Sequence, residues 1–232
     1  MKPSLPVLLS INGGYVDTAS FLALQGLFTS HVTGNFVTLG AALVLGTSGV
    51  LAKLLALPMF CGVVCATRLV SLLVPTGPSS TLPMLLGCKL LLLVTGAYLA
   101  IHLGPFHSGD GWPAIVTGMT LVAAMAIQNA IHRMHMASTS PTTIMTGNTT
   151  QVMIDLADLL RPHSPEASVT LRARLRRMSA SIAAFAAGCS LSALLYALHG
   201  EWCFLMPPVI ALYTLFVRDP TLAPAPAPLP RA

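Results

Sequence analysis

Charged side chains are scarce in this sequence of 232 residues. Lysine, arginine, aspartate and glutamate together make up 8% of the chain, whereas soluble domains average about 25%. Hydrophobic residues make up 54%, and the mean hydropathy is +0.77. A surface with so few charges does not face water, and the sequence therefore predicts an integral membrane protein embedded in a lipid bilayer.

Motifs of the common enzyme and binding classes are also missing. The sequence has no G-x-S-x-G, H-E-x-x-H, P-loop or Rossmann glycine pattern. Its histidines do not stand beside carboxylates at metal-ligand spacing, and five cysteines in or beside apolar segments argue against a disulfide framework. No basic patch is interleaved with aromatic residues. We expect a protein that is not an enzyme and that has no cofactor, metal or nucleic-acid partner.

Long apolar runs are what the sequence does contain. A membrane-spanning helix needs about 20 mostly apolar residues. The runs are rich in leucine and alanine and lack the alternation of a membrane β-barrel, so they predict an all-α protein. Pro207 and Pro208 must bend the last run or begin it anew. Six spans are predicted, at about 7–29, 54–75, 83–103, 113–133, 179–198 and 202–218.

The tripeptide Thr-Gly-Asn occurs twice, at 33–35 and at 146–148. Each copy follows a long span and precedes a stretch that is too short or too polar to cross lipid comfortably, at 36–50 and at 149–160. Glycine permits a sharp chain reversal with positive φ, and asparagine is a good helix N-cap. Each tripeptide is therefore predicted to begin a re-entrant half-helix.

The order span, half-helix, span, span occurs twice, at about 7–103 and about 113–218. Because three spans per half is an odd number, the second half must insert upside down relative to the first. The predicted fold is thus about six transmembrane helices plus two re-entrant half-helices, arranged as two inverted repeats in one membrane domain, 1–218. The remaining segment, 219–232, is rich in proline and alanine and is predicted to be disordered.

Basic residues predict the orientation. Four arginines cluster within 172–177, and basic loops stay cytoplasmic. The polar loop 161–177 and both termini are therefore expected in the cytoplasm of a bacterium, with 104–111 outside the inner membrane.

Other charged residues are expected near the membrane surfaces. Asp155 and Asp158 are expected to pair with Arg161 at the cytoplasmic face. Arg68 and Lys89 are expected to snorkel, extending their charged ends to the interface.

Asp17 lies well inside the first span, where a carboxylate is costly and therefore a functional candidate. The alternative is a neutral Asp17 that hydrogen-bonds Ser20 or a neighbouring helix. The free N–H groups at each half-helix start favour an anion or a polar oxygen, although each tripeptide could instead be a buried turn without a ligand. His31 is the histidine considered for a proton role. The candidate substrate- or ion-binding residues are Asp17, Thr33, Gly34, Asn35, Asn129, Thr146, Gly147 and Asn148.

Two stretches resemble a known family. GYVDTASFLALQGLFTSHVTGNFVTLG (14–40) and QNAIHRMHMASTSPTTIMTGNTTQ (128–151) are similar to the YoaK-type family of small bacterial inner-membrane proteins. The resemblance covers the chain except its proline- and alanine-rich end. It implies a multi-span plasma-membrane protein and no established activity. HRMHMAST (132–139) is richer in histidine and methionine than the family pattern.

The expected function is that of a small-solute transporter or permease with a polar site near the membrane midplane. Its solute would be small and polar or anionic, and the small chain is compatible with a homodimer. The alternative is a non-transporting scaffold or regulatory protein, in which packing seals both tripeptides. An intramembrane enzyme would need a nucleophile and a base within hydrogen-bond reach.

Overall fold

The structure, a computed structural model, describes residues 4–74, 78–161 and 164–217. These residues form eight α-helices and one 3-10 helix and contain no strand, so the all-α prediction is confirmed. The helices are α1 (Leu5–Ala23), α2 (Gly34–Leu45), α3 (Val50–Leu73), α4 (Pro78–Leu103), α5 (Trp112–His135), α6 (Met145–Leu159), α7 (Pro165–His199), the 3-10 helix (Gly200–Leu205) and α8 (Met206–Phe216).

Four helical segments in the described residues are long and apolar enough to cross a membrane. They are Val50–Leu73, Thr81–Leu103, Trp112–His135 and Glu166–Phe216. The prediction of a membrane protein is supported at this level, whereas six spans with two re-entrant segments remain a prediction. Helix α1 has 19 residues but carries buried polar side chains, including Asn12 and Asp17, and it is not among the four.

Helix α7 begins earlier than expected. It starts at Pro165 rather than near 179, so most of the predicted polar loop 161–177 is helical. The local sequence explains this start, because Ser164 Oγ accepts a hydrogen bond from Ala167 N at 3.3 Å and Glu166 lies in the first turn. Serine as N-cap, proline at the first position and an early acid are all helix-start signals.

The last helical segment restarts at its prolines. Helix α7 ends before Gly200, which has a φ of 57°, and the 3-10 helix leads into α8. Pro207 lies in the first turn of α8, as expected of a residue that lacks an N–H. The predicted disordered segment 219–232 lies outside the described residues.

The helices pair in a matching way in the two halves of the chain. Helix α1 packs against α7 and α3 packs against α5, so the first helix of each half contacts the third helix of the other. Short helix α2 packs on α3, and short helix α6 packs on α7. Each of these α-helix contacts in one half of the chain, α1–α4, therefore has a counterpart in the other half, α5–α8.

Helices α1 and α7 touch through their backbones. A Cβ atom on Gly14 would lie 2.2 Å from the Phe185 carbonyl oxygen, and one on Gly188 would lie 2.1 Å from the Ile11 carbonyl oxygen. Small residues allow helices in membranes to approach this closely. The crossing of α1 and α7 thus depends on these two glycines.

One end of the bundle is held together by loop-to-loop bonds. Gln25 Nε2 donates to the Phe106 carbonyl at 3.2 Å, and Lys53 Nζ donates to the Gln25 carbonyl at 2.7 Å. A Cβ on Gly49 would lie 3.4 Å from that same Gln25 oxygen. Residues 25 and 49 are therefore neighbours. The segment between them contains the twelve-residue helix α2, which is about 18 Å long. This segment leaves the bundle and returns to it at the same end.

Asp110 closes the start of α3 from the loop that precedes α5. Its Oδ2 accepts from the N–H groups of Gly49 at 2.8 Å and Val50 at 3.2 Å, and its Oδ1 accepts from Leu51 at 2.7 Å and Ala52 at 3.4 Å. Partial burial raises the pKa of the Asp110 carboxyl, but these four hydrogen bonds lower it further, and the net pKa lies below its ordinary value.

We expect Asp110→Ala to destabilise the protein by about 0.5–2 kcal/mol, the range for losing a helix cap. Because the folded-state pKa of Asp110 is depressed, its contribution is present above the unfolded pKa of about 3.9. It is lost as pH falls through the lower folded pKa. Melting temperatures of both proteins measured from pH 7 downward should converge in acid. A difference that stays constant with pH would contradict the role of the charged carboxylate.

Candidate functional site

Asp17 is buried on α1 and binds three consecutive residues of the loop that follows. Its Oδ1 accepts from Thr29 N at 2.8 Å, Thr29 Oγ1 at 3.0 Å and Ser30 N at 2.7 Å. Its Oδ2 accepts from Ser30 Oγ at 2.7 Å, His31 N at 3.3 Å and His31 Nδ1 at 2.6 Å. Asp17 is therefore buried and has polar partners, and these donors, rather than the Ser20 hydroxyl, satisfy its carboxylate.

The chain reaches Asp17 through a reversal at the end of α1. Gln25 has a φ of 55° and Gly26 a φ of 81°, and Gly26 N donates to the Phe21 carbonyl at 2.9 Å. The expectation of positive φ at Gly34 and Gly147 is wrong, because neither residue adopts it. The turn-forming glycine is Gly26, eight residues before the predicted one, since the left-handed pair ends α1 itself.

The first tripeptide fastens the loop by its asparagine. Asn35 Oδ1 accepts from Phe28 N at 2.8 Å, and Asn35 Nδ2 donates to the Phe28 carbonyl at 2.8 Å. Helix α2 begins at Gly34 with Thr33 as N-cap, and no side chain caps it. The predicted N-cap role of Asn35 is therefore wrong. Its amide reaches back seven residues and binds the backbone of the first loop, residues 28–31.

The second tripeptide repeats this arrangement. Asn148 Nδ2 donates at 2.9 Å to the carbonyl of Pro141, again seven residues back, and Ile144 rather than Asn148 is the N-cap of α6. Asn129 on α5 accepts from Thr143 Oγ1 at 2.7 Å, much as Asp17 accepts from Ser30. The second loop, residues 141–144, is thus held by two neutral amides where the first is held by an amide and a carboxylate.

The other predicted residues of the tripeptides do not line these contacts. Thr33, Thr146 and Gly147 are exposed, and Gly34 packs beside the Phe28 ring.

Both loops nevertheless contact α1. A Cβ on Gly13 would lie 3.3 Å from the Thr142 carbonyl oxygen. Gly13 is four residues from Asp17, or about 6 Å along the helix. That the two tripeptides form one site remains a prediction.

The two tripeptide glycines differ in their surroundings. A Cβ on Gly34 would lie 3.2 Å from Phe28 Cδ2, whereas one on Gly147 would meet nothing within 4 Å. We expect Gly34→Val to lower the melting temperature and Gly147→Val to leave it nearly unchanged, because only the first must displace a packed ring. Equal losses in both variants would contradict it.

A groove of about 300 Å³ opens beside the Asp17–His31 pair. Three phenyl rings, those of Phe21, Phe28 and Phe185, line it together with His31. The His31 ring meets Phe185 edge-on, with centroids 5.7 Å apart, and its side chain is 40% exposed. The groove is therefore largely apolar and has one imidazole at its base.

Cys189 also lines this groove. In the described residues its thiol is not hydrogen-bonded to His31.

Two charged residues differ from their predicted surroundings. Lys89 does not snorkel, because it is fully buried and its Nζ donates to Gln128 Oε1 at 2.6 Å. Asp155 pairs with Arg174 rather than Arg161. Arg174 Nε donates to Asp155 Oδ2 at 2.7 Å, and its Nη2 donates to Oδ1. Both partners come from another helix, so local sequence spacing does not reveal them.

Sequence reasoning also missed most of the first loop. Thr29, Ser30 and Phe28 became site residues because the reversal at Gln25 and Gly26 brings them back to α1. A left-handed turn at the Gln-Gly pair is the sequence signal that could have placed them.

A family model described as "Protein of unknown function (DUF1275)" matches residues 5–217. The chain belongs to the DUF1275 family. The match contains every helix described above and both loops, and the family description assigns no activity. No curated protein and no solved structure matches the chain. The resemblance to the YoaK-type family stays a prediction.

Proposed function

We propose that this DUF1275 protein is a small-solute permease of a bacterial inner membrane that moves a proton together with its solute. The observation that carries the proposal is the Asp17–His31 pair at the base of the groove. A carboxylate buried inside a membrane helix bundle is a functional candidate by default. Here the His31 imidazole also faces open space.

The imidazole of His31 is suited to carry the proton. Nδ1 is engaged by Asp17 Oδ2 at 2.6 Å, and Nε2 has no hydrogen-bond partner among the described residues. In the neutral ring with its proton on Nδ1, Nε2 is an acceptor, and in the protonated ring it is a donor. Only the protonated form can donate to an anionic oxygen, so the solute and the proton would bind together.

The groove indicates the class of solute. Its walls include three phenyl rings, and its polar groups include the His31 imidazole and the Asp17 carboxylate, whose oxygens already accept from the first loop. A volume of about 300 Å³ lies at the small end of ligand pockets. We therefore propose a small monocarboxylate with an apolar body, which would place its carboxylate at His31 Nε2 and its body among the rings.

The architecture supports movement of the solute across the membrane. The neighbours of α1–α4 match those of α5–α8, and each half contains one short helix fastened by an asparagine. Two such halves with three crossings each would be related by inversion, which is the arrangement that supports alternating access in many transporters. We further propose that the protein is not an enzyme, and the small chain is compatible with a homodimer.

Uptake by reconstituted protein tests the proposal. Proteoliposomes containing a pH-sensitive dye would be offered a panel of small aliphatic and aromatic monocarboxylates under a pH gradient. Wild type should acidify the lumen with at least one of them, and Asp17→Asn/His31→Ile should not. His107→Gln, which changes an exposed histidine in the loop before α5, is the matched control and should retain uptake. If correctly folded wild type moves no member of the panel, the non-transporting alternative is favoured.

The orientation that we propose rests on the four arginines within 172–177, because basic loops stay cytoplasmic. We expect the termini and the start of α7 to be cytoplasmic and residues 104–111 to be periplasmic. In a cysteine-free background, Ser108→Cys should react with an impermeant maleimide in spheroplasts, and Arg172→Cys should react only after lysis. Arg172 is preferred to Arg174 as the probe because Arg174 binds Asp155. Labelling of Arg172→Cys from outside would show that the protein has the opposite orientation.

A further inference from the structure

The apolar core is divided by a layer of polar side chains. One cluster of packed residues includes Val16, Leu93 and Met125, and the other includes Leu9, Leu86 and Ile131. Between them, on three different helices, lie Asn12 on α1, Lys89 on α4 and Gln128 on α5, all 0% exposed. We call these three residues the polar layer.

Lys89 uses one acceptor in this layer. Its Nζ donates to Gln128 Oε1 at 2.6 Å. The ion pairs in the described residues join His31 to Asp17 and Arg174 to Asp155, and neither includes Lys89. As an ammonium group Lys89 has three N–H donors, so in that form two are free and the charge has no counterion among the described residues.

Gln128 is held in the orientation that Lys89 needs. Its Nε2 donates to the Leu9 carbonyl at 2.9 Å and to Thr142 Oγ1 at 3.2 Å. The amide is therefore fixed with Oε1 towards Lys89. The same bonds join the polar layer to the second loop.

Asn12 provides a second and independent observation. Both its Oδ1 and its Nδ2 are buried without a hydrogen-bond partner in the structure. Buried polar groups nearly always have partners, because an unsatisfied one destabilises the folded state. Asn12 lies three residues after Leu9, whose carbonyl Gln128 binds, and so faces the same side of α1.

We propose that the polar layer binds a small inorganic anion, with Lys89 as its counterion and the Asn12 amide as a second donor. The layer contains no carboxylate, so its excess is of positive charge and of N–H donors, which excludes a cation. A water molecule would satisfy free donors but would not stabilise the ammonium form of Lys89, as an anion does. The anion must be small because the layer lies between packed helices.

Bromide is the probe because it can be located directly. Purified protein would be melted in sodium bromide and in sodium gluconate at equal ionic strength, since gluconate is too large for the layer. Bromide should raise the melting temperature of wild type in a saturable way, because a ligand that binds the folded state stabilises it. Lys89→Met should abolish this rise. Lys53→Met, which removes another buried lysine, should keep it.

Two further measurements decide the case if Lys89→Met does not fold. Asn12→Leu keeps the charge and should weaken the apparent bromide affinity about tenfold. Crystals soaked in bromide should show an anomalous peak within hydrogen-bond distance of Lys89 Nζ. An equal bromide effect in Lys89→Met, or the absence of that peak at saturating bromide, would overturn the proposal. Bromide binding without solute uptake would reject the permease and leave this site standing.

Discussion

Replacing Asp17 by alanine is expected to destabilise the protein by about 3–5 kcal/mol, because each buried donor left without an acceptor costs about 1–3 kcal/mol. The variant loses the acceptor for six donors of the first loop, among them three consecutive backbone N–H groups. Thr29 is 0% exposed, so water does not replace the carboxylate as the acceptor for its donors. Reversible unfolding in mixed micelles, followed by circular dichroism, would measure the loss.

The second half of the chain supplies the matched control. Asn129 and Ile144 occupy the positions that correspond to Asp17 and His31, so Asp17→Asn/His31→Ile gives the first loop the neutral residues of the second. An asparagine oxygen can still accept from Ser30, as Asn129 accepts from Thr143. We expect this variant to lose about 1–1.5 kcal/mol, much less than Asp17→Ala. Equal losses would show that the loop does not depend on the acceptor at position 17.

Gly188→Ala should cost about 3 kcal/mol, at the upper end for an added methyl group in a packed core. The new Cβ would lie 2.1 Å from the Ile11 carbonyl oxygen, and a backbone atom cannot rotate away as a side chain can. Helices α1 and α7 must therefore separate along their contact. Gly14→Ala, which meets Phe185 in the same way at 2.2 Å, should have a similar effect.

Gly62→Ala is the control for these substitutions, because a Cβ on Gly62 meets nothing within 4 Å. Alanine favours the helix over glycine by up to about 1 kcal/mol, so this variant should unfold no earlier than wild type. The double variant Gly14→Ala/Gly188→Ala should lose less than the sum of the single losses, since one separation of the helices relieves both clashes. Strict additivity would show that the two glycines occupy independent contacts.

The long helices could be read from the sequence because each is a continuous apolar run. Their ends were harder to read where the helix leaves the apolar region. Helix α7 continues through an arginine-rich stretch, and its start was available in Ser164, Pro165 and Glu166 as a capping signal. Helix α1 ends at Ala23 because of the left-handed pair at Gln25 and Gly26, although the apolar run continues beyond that point.

The sequence indicates Asp17 and the two tripeptides as candidate residues, but it does not indicate the groups to which they hydrogen-bond. The depth of Asp17 and the duplication of the tripeptide marked the right loops. The seven-residue reach of Asn35 and Asn148 could not be seen, because it depends on the path the chain takes back to the helix. The bond between Lys89 and Gln128 joins residues 39 apart in sequence, and only the packing of α4 on α5 creates it.

Pro141 makes the two loops unequal. Asn35 exchanges two hydrogen bonds with the backbone of Phe28. Asn148 makes one bond to the backbone of Pro141, because proline has no N–H to donate. The second loop also lacks the carboxylate that holds the first. We expect local unfolding to require less free energy at residues 141–144 than at residues 28–31. We therefore expect thermal opening to begin in the second half, although the two halves have the same helix order.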